Sequence, residues 1–199
     1  YDDPFHALLW RSTNSLTQSS RLVQSALYRM GHIPMLMGAE RARVLVLGLG
    51  SAIPLHGVMM HDPKQVDCVE PFSPSIRLAP DTRKNMRPRP WLKNVRFHAE
   101  RIESFVRRSD SKYDVIISAE PFALPGIPSA LLTKSTIERT AALLAANGLY
   151  AQWLPVSRVG AEGVRSVAAA MGEVFPYMEM WISGPDPENA MVGILGYVS

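Results

Sequence analysis

The stretch RVLVLGLGSA, residues 43–52, decides the fold. Its apolar run Val44-Leu45-Val46-Leu47 suits a strand covered on both faces. The run ends in Gly48-Leu49-Gly50, where the missing Cβ atoms let the main chain turn tightly and come close to a ligand. About twenty residues further on, the spacing that such units use, a second apolar run, DCVEP, closes on Glu70. A carboxylate there can take the two hydroxyls of a ribose, so the two runs read as a nucleoside-binding βαβ unit. A dinucleotide fingerprint needs a third glycine where Ile53 stands, and Ile53-Pro54 is a poor cradle for a pyrophosphate. The reading is S-adenosylmethionine or a relative rather than NAD.

Outward from this unit, short apolar runs alternate with helical patterns, as in a parallel sheet with helices on both faces. Strands are expected at 43 to 48, 65 to 70, 94 to 98, 113 to 118 and 148 to 154, with a closing hairpin at 177 to 183 and 190 to 197. Thr133 reads as an N-cap, Ile137, Ala141 and Leu144 as one helical stripe, and Asn147-Gly148 as its left-handed end. A similar helix is expected from about Ala161 to Val174. ALPGIPS, residues 123 to 129, is too rich in proline and glycine to be regular, which makes it a loop at the carboxyl end of the fourth strand, where open α/β sheets bind ligands. The first forty residues read as a small entry lobe or as the stump of a larger N-terminal β domain. They are polar, then helical, and Gly31, His32 and Pro34 are expected to interrupt the helix before the first strand. The domains are thus 1–40 and 41–199.

Composition narrows the class. The chain has 199 residues, 47% of them hydrophobic, enough for one well-filled core. The net charge of +3 is modest, and the basic run between Arg77 and Arg96 lacks the aromatic alternation of an RNA binder, so it reads as a solvated loop face and no nucleic acid is expected. A single cysteine, Cys68, excludes an internal disulfide and reads as a buried apolar thiol. No apolar run is long enough to cross a bilayer and no secretory pattern opens the chain; a cytoplasmic setting is expected. The start at Tyr1 reads as a processed end or the edge of a longer piece. The five histidines show no metal spacing, so no metal site is expected. Ser51 is not a hydrolase nucleophile, because Gly48-Leu49-Gly50-Ser51-Ala52 is out of step with Gly-x-Ser-x-Gly.

The ordered series GHIPML, RVLVLGLGSA, VDCVEP, KYDVIIS and LLTKSTIERTAALLAANGLYAQWLP resembles the spermidine synthase (polyamine aminopropyltransferase) family, over about residues 16 to 183. The resemblance implies a Rossmann-like, class I methyltransferase fold: a mostly parallel seven-stranded sheet with a C-terminal antiparallel hairpin. It also implies decarboxylated S-adenosylmethionine or S-adenosylmethionine as co-substrate, a small amine as acceptor, and a homodimer. By the same resemblance Gly48, Gly50 and Ser51 lie beside the nucleoside thioether, Glu70 holds the ribose, and Gln18 falls near a ligand-contacting glutamine.

The chain also departs from the family pattern. The Asp-Gly pair after the third strand, which meets the adenine amine in the family, is replaced in HAERIESF by Arg101, with Glu100 one position earlier. The Asp-x-x-Asp loop after the fourth strand is replaced by Ser118-Ala119-Glu120-Pro121-Phe122, which leaves Glu120 as the candidate acid-base group. The family's tyrosine before HIP is Ala26 here, with Tyr28 the nearest phenol. Three readings follow: aminopropyl transfer to a small amine, a non-catalytic binding or assembly module, and a methyltransferase.

Overall fold

The computed structural model describes residues 21–78, 92–118, 130–184 and 190–198. In chain order, α1 (Arg21–Met37) precedes β1 (Arg43–Leu47), α2 (Ile53–Met59), β2 (Gln65–Val69) and α3 (Ser73–Leu78). Then come β3 (Val95–His98), α4 (Ile102–Arg108), β4 (Tyr113–Ser118), α5 (Lys134–Ala141), β5 (Leu144–Pro155) and α6 (Val156–Gly172). The strands β6 (Tyr177–Ser183) and β7 (Met191–Tyr197) close the chain as a hairpin. One sheet holds all seven strands in the order β3-β2-β1-β4-β5-β7-β6. β1 to β5 run parallel, and β7 is antiparallel to both β5 and β6. This is the Rossmann-like, class I methyltransferase fold with its antiparallel C-terminal hairpin, as the sequence led one to expect. The strand order reverses beside β1, so the crevice between the ends of β1 and β4 is the switch point of the sheet.

Strand residues point alternately to the two faces, and each face has its own core. Val44 and Val46 of β1 pack with Leu27, Met30 and Met35 of α1, Leu55 and Val58 of α2, and Trp153 of β5. Leu45 and Leu47 pack on the other side with Ile102 and Phe105 of α4, Ile137 of α5 and Val164 and Met171 of α6. Cys68 is buried inside β2, as expected.

The elements differ from expectation at three places, and tertiary packing explains each. The helix α1 does not break at Gly31 or Pro34 but runs through both to Met37. A mid-helix proline costs about 3 kcal/mol, whereas α1 buries Ala26, Leu27, Met30 and Met35, each large side chain stabilising by roughly 1.5–3 kcal/mol. Burial therefore exceeds the cost of the proline. Gly31 lies against α2, where a Cβ would stand 1.9 Å from the Pro54 carbonyl oxygen. A Cβ on Gly57 of α2 would in turn stand 2.3 Å from the Tyr28 carbonyl oxygen. The two helices thus meet backbone to backbone, which only glycine at these two positions permits.

Second, α5 starts at the Thr133 cap, whose Oγ1 accepts from Thr136 N at 3.4 Å, but it stops at Ala141 instead of Asn147. Leu143 and Leu144 leave the helical stripe for the sheet: Tyr113 N donates to Leu143 O at 2.9 Å, and Leu144 pairs with Tyr113. Asn147 is left-handed, with φ 62°. It sits at an irregularity of the β4–β5 ladder, and the expected helix end becomes part of a strand. Third, α6 contains a break at Gly160, with φ 67° and ψ 168°, so the regular helix begins at the expected Ala161 after one preceding turn.

The seam between α1 and the end of α2 also carries a polar contact. His61 Nε2 and His32 Nδ1 are 2.7 Å apart, and the Tyr28 ring packs against His32 and His56. Burial first, and the neighbouring His32 second, hold the His61 imidazole below its ordinary pKa.

Two outcomes are expected. Gly31→Ala gains about 1 kcal/mol of helix propensity but forces a Cβ into the Pro54 carbonyl; the net result is a loss of about 2 kcal/mol, in the range of core overpacking, read as a lower urea midpoint. The depressed His61 pKa means that the unfolded chain takes up this proton more readily than the folded one. Its stabilising contribution is therefore complete above the ordinary imidazole pKa of about 6.5 and is lost as pH falls below it. Denaturation at a series of pH values should show a steeper acid-side decline for the parent chain than for His61→Phe.

Candidate functional site

At the carboxyl end of β1 the chain leaves the sheet through two left-handed glycines, Gly48 with φ 89° and Gly50 with φ 51°. Gly48 N donates to Val69 O at 2.9 Å, which ties the start of the bend to β2. A Cβ built on Gly50 would have nothing within 4 Å, and Gly50 is exposed. Open space thus lies directly in front of the main chain at the bend. Ala52 is left-handed as well, with φ 59°, a conformation that costs a non-glycine residue about 1–2 kcal/mol. Its N donates to Leu49 O at 2.8 Å, closing the turn that launches α2. Ser51 Oγ accepts from Ile53 N at 3.5 Å, at the first turn of that helix.

Glu70 follows β2 and is buried. Its Oε2 accepts from Leu49 N at 3.0 Å, and its Oε1 accepts from Phe72 N at 2.8 Å. One carboxylate thus bridges the glycine bend and the segment leading into α3. An ionised carboxylate has about four acceptor positions, so two such bonds leave it capacity for hydroxyl donors. The sequence placed Glu70 beside the bend, but nothing in residue order points to the Leu49 and Phe72 amides that orient it.

Glu70 N donates to His98 O at 3.0 Å, and His98 is itself anchored. Its Nε2 lies 2.8 Å from Asp67 Oδ1, while Asp67 Oδ2 accepts from Gln65 Nε2 at 2.9 Å and from the Tyr113 hydroxyl at 3.2 Å. Burial, and after it the Asp67 charge, push the Tyr113 phenol above its ordinary pKa. This set, centred on the buried Asp67, ties β2 to the end of β3 and the start of β4. Sequence reading missed it, although an aspartate inside an apolar strand run is a visible signal, since a buried charge needs partners.

Beyond β3, Glu100 takes a two-pronged contact from Arg108 of α4: Arg108 Nε donates at 3.0 Å, and its Nη2 contacts the other carboxylate oxygen. The hydrogen bond from Arg108 holds the Glu100 carboxyl below its ordinary range. Arg101 is the residue before α4, largely exposed, and 3.7 Å from Glu103. Gln18 and Glu120 lie outside the described residues, as do the 123 to 129 loop and most of the basic run after Arg77.

Buried polar residues stand at the end of β4 and beside it within β5. Ser118 pairs with Gln152 across the ladder, and the Tyr150 hydroxyl donates to Gln152 Oε1 at 2.6 Å. Gln152 Nε2 donates on to Trp153 O at 3.1 Å. Burial drives the Tyr150 phenol far above its ordinary pKa. This phenol is therefore a neutral donor at physiological pH. Gln152 interrupts the apolar run LYAQWLP, a signal that sequence reading passed over.

Neither a protein-family model nor a curated protein matches the sequence. Solved structures do match in fold. A spermidine synthase from Thermotoga maritima superposes with a TM-score of 0.71 at 17% identity, over 87% of this chain and 58% of that one. A spermidine synthase in complex with the transition-state analogue AdoDATO gives a TM-score of 0.69 at 16% identity, with the same coverage. The N-methyltransferase NodS from Bradyrhizobium japonicum, in complex with S-adenosyl-L-homocysteine, gives 0.69 at 15% identity over 98% of both chains. The chain thus spans 58% of the length of these two synthases and nearly all of the N-methyltransferase.

Glu70→Gln keeps one carbonyl acceptor but sets its amide N–H₂ against a main-chain N–H. Hydrogen bonds to charged groups contribute about 1.5–3 kcal/mol each. The variant should therefore lose on the order of 2 kcal/mol of unfolding free energy in chemical denaturation.

Proposed function

We propose that this chain binds the nucleoside half of an S-adenosylmethionine-type sulfonium at the bend 48 to 51 and transfers an alkyl group from sulfur to an amine nitrogen. The observation that carries the reading is the bare main chain at Gly50 beside the oriented carboxylate of Glu70. In it, the Glu70 oxygens take the ribose hydroxyls, Gly48, Gly50 and Ser51 line the thioether side, and Gln18, Glu100 and Arg101 are the remaining candidate contacts. Spermidine synthases and an N-methyltransferase both stand among the similar folds, and the second name describes transfer to nitrogen.

The finer reading is aminopropyl transfer from decarboxylated S-adenosylmethionine to a small amine. The amine lone pair attacks the carbon next to the sulfonium, the C–S bond breaks, and the thioether leaves with its electron pair. The proton released from the new secondary ammonium passes to a carboxylate, for which Glu120 is the candidate. Positioning supplies most of the acceleration in such a displacement, because the sulfonium is already a good leaving group. A second reading, a binding module without turnover, is favoured by the loop sequence Ser118-Ala119-Glu120-Pro121-Phe122, which offers one acid where two would both attract a polyamine and accept its proton.

Titration calorimetry with methylthioadenosine, S-adenosylmethionine and its decarboxylated form tests the site, and putrescine turnover tests the reaction. Gly50→Leu should lose only about 1–2 kcal/mol of stability, the cost of its left-handed φ, yet abolish nucleoside binding, because the new side chain fills the space in front of the bend. Glu120→Gln should bind normally and fail to turn over putrescine. Binding without product from any amine would leave the module reading, and absence of binding by all three nucleosides would refute both.

A further inference from the structure

Among the described residues the sheet ends at β6, and no other described strand pairs with its outer edge. Six of its seven residues are exposed, and five of those six are large and apolar: Tyr177, Met178, Met180, Trp181 and Ile182, with Ile182 at 79%, Tyr177 at 65% and Met180 at 57%. Met178, Met180 and Ile182 lie on one face of the strand, Tyr177 and Trp181 on the other. Folded proteins protect such an edge with lysine, proline or a bulge, since an open row of N–H and C=O groups otherwise recruits another strand. β6 has none of these, and its register against β7 is regular from Tyr177 to Ser183.

We infer that β6 is an interface at which a second copy of this chain adds edge to edge, antiparallel, with the twofold axis at Met180. The charge pattern of the strand selects both the occupant and the register. Glu179 is its single formally charged residue. An axis at Glu179 would set two carboxylates face to face, which is unfavourable across a strand pair. An axis at Met180, the midpoint of β6, overlaps all seven residues and sets each Glu179 opposite Trp181 of the other copy. The two groups are complementary already within one chain, where Trp181 Nε1 donates to Glu179 Oε2 at 3.2 Å. In the same register Met178 faces Ile182, so apolar side chains cover one another on the α6 side of the sheet. The strand thus matches itself in charge and in apolar pattern, as a twofold interface requires.

Two variants of the full chain test this. Met180→Lys puts two ammonium groups opposite each other at the axis; light scattering after size exclusion should give twice the 22.0 kDa chain mass for the parent and the single mass for the variant, with unchanged circular dichroism. Met180→Cys should be trapped by mild oxidation as a disulfide-linked dimer, because Cys68 is buried and does not compete, whereas a cysteine at the exposed Leu36 should not be. A parent chain that stays monomeric at tens of micromolar would overturn the inference. So would a dimer that survives Met180→Lys, or one that fails to crosslink through Met180→Cys.

Discussion

A single carboxylate, Glu70, organises the carboxyl edge of the sheet beside β1. Its two oxygens accept main-chain N–H groups from the glycine bend and from the residue leading into α3, two segments that share no backbone ladder at that point. Each bond is charge-assisted, and Glu70 is itself buried, so water competes poorly for either amide. The bend can therefore keep its left-handed residues Gly48, Gly50 and Ala52 without collapsing into the open space in front of Gly50. Stability and the proposed binding use the same group: the oxygens that fasten the bend are those offered to a ribose.

Behind that edge, the sheet is pinned by polar groups that would be costly if left unpaired. Asp67 collects Gln65, His98 and Tyr113, and Tyr150 hands its proton donor to Gln152. Both sets sit within strands that are otherwise apolar. The Asp67 set ties neighbouring strands together through side chains, in addition to the backbone ladder.

The front layer shows packing overriding local preference. A helix with glycine and proline in its second half remains a helix because its other residues are buried, and the glycine that weakens it also lets α2 approach to backbone contact. The opposite occurs after α5, where Leu144, in good helical spacing with Ile137 and Ala141, is drawn into β5 by pairing with Tyr113.

The sequence by itself determined the alternation of strands and helices, the glycine bend, the acid that follows β2, and the closing hairpin. These depend on local features: apolar runs, residues lacking a Cβ, and turn signals. Only the tertiary structure decided where α1 and α5 end, which amides orient Glu70, that Glu100 meets Arg108, and that β6 is the last strand of the sheet among the described residues. Those outcomes depend on which segments become neighbours across the sheet. The free energy of burying a side chain, or of satisfying a buried charge, belongs to that neighbourhood and is not carried by residue order.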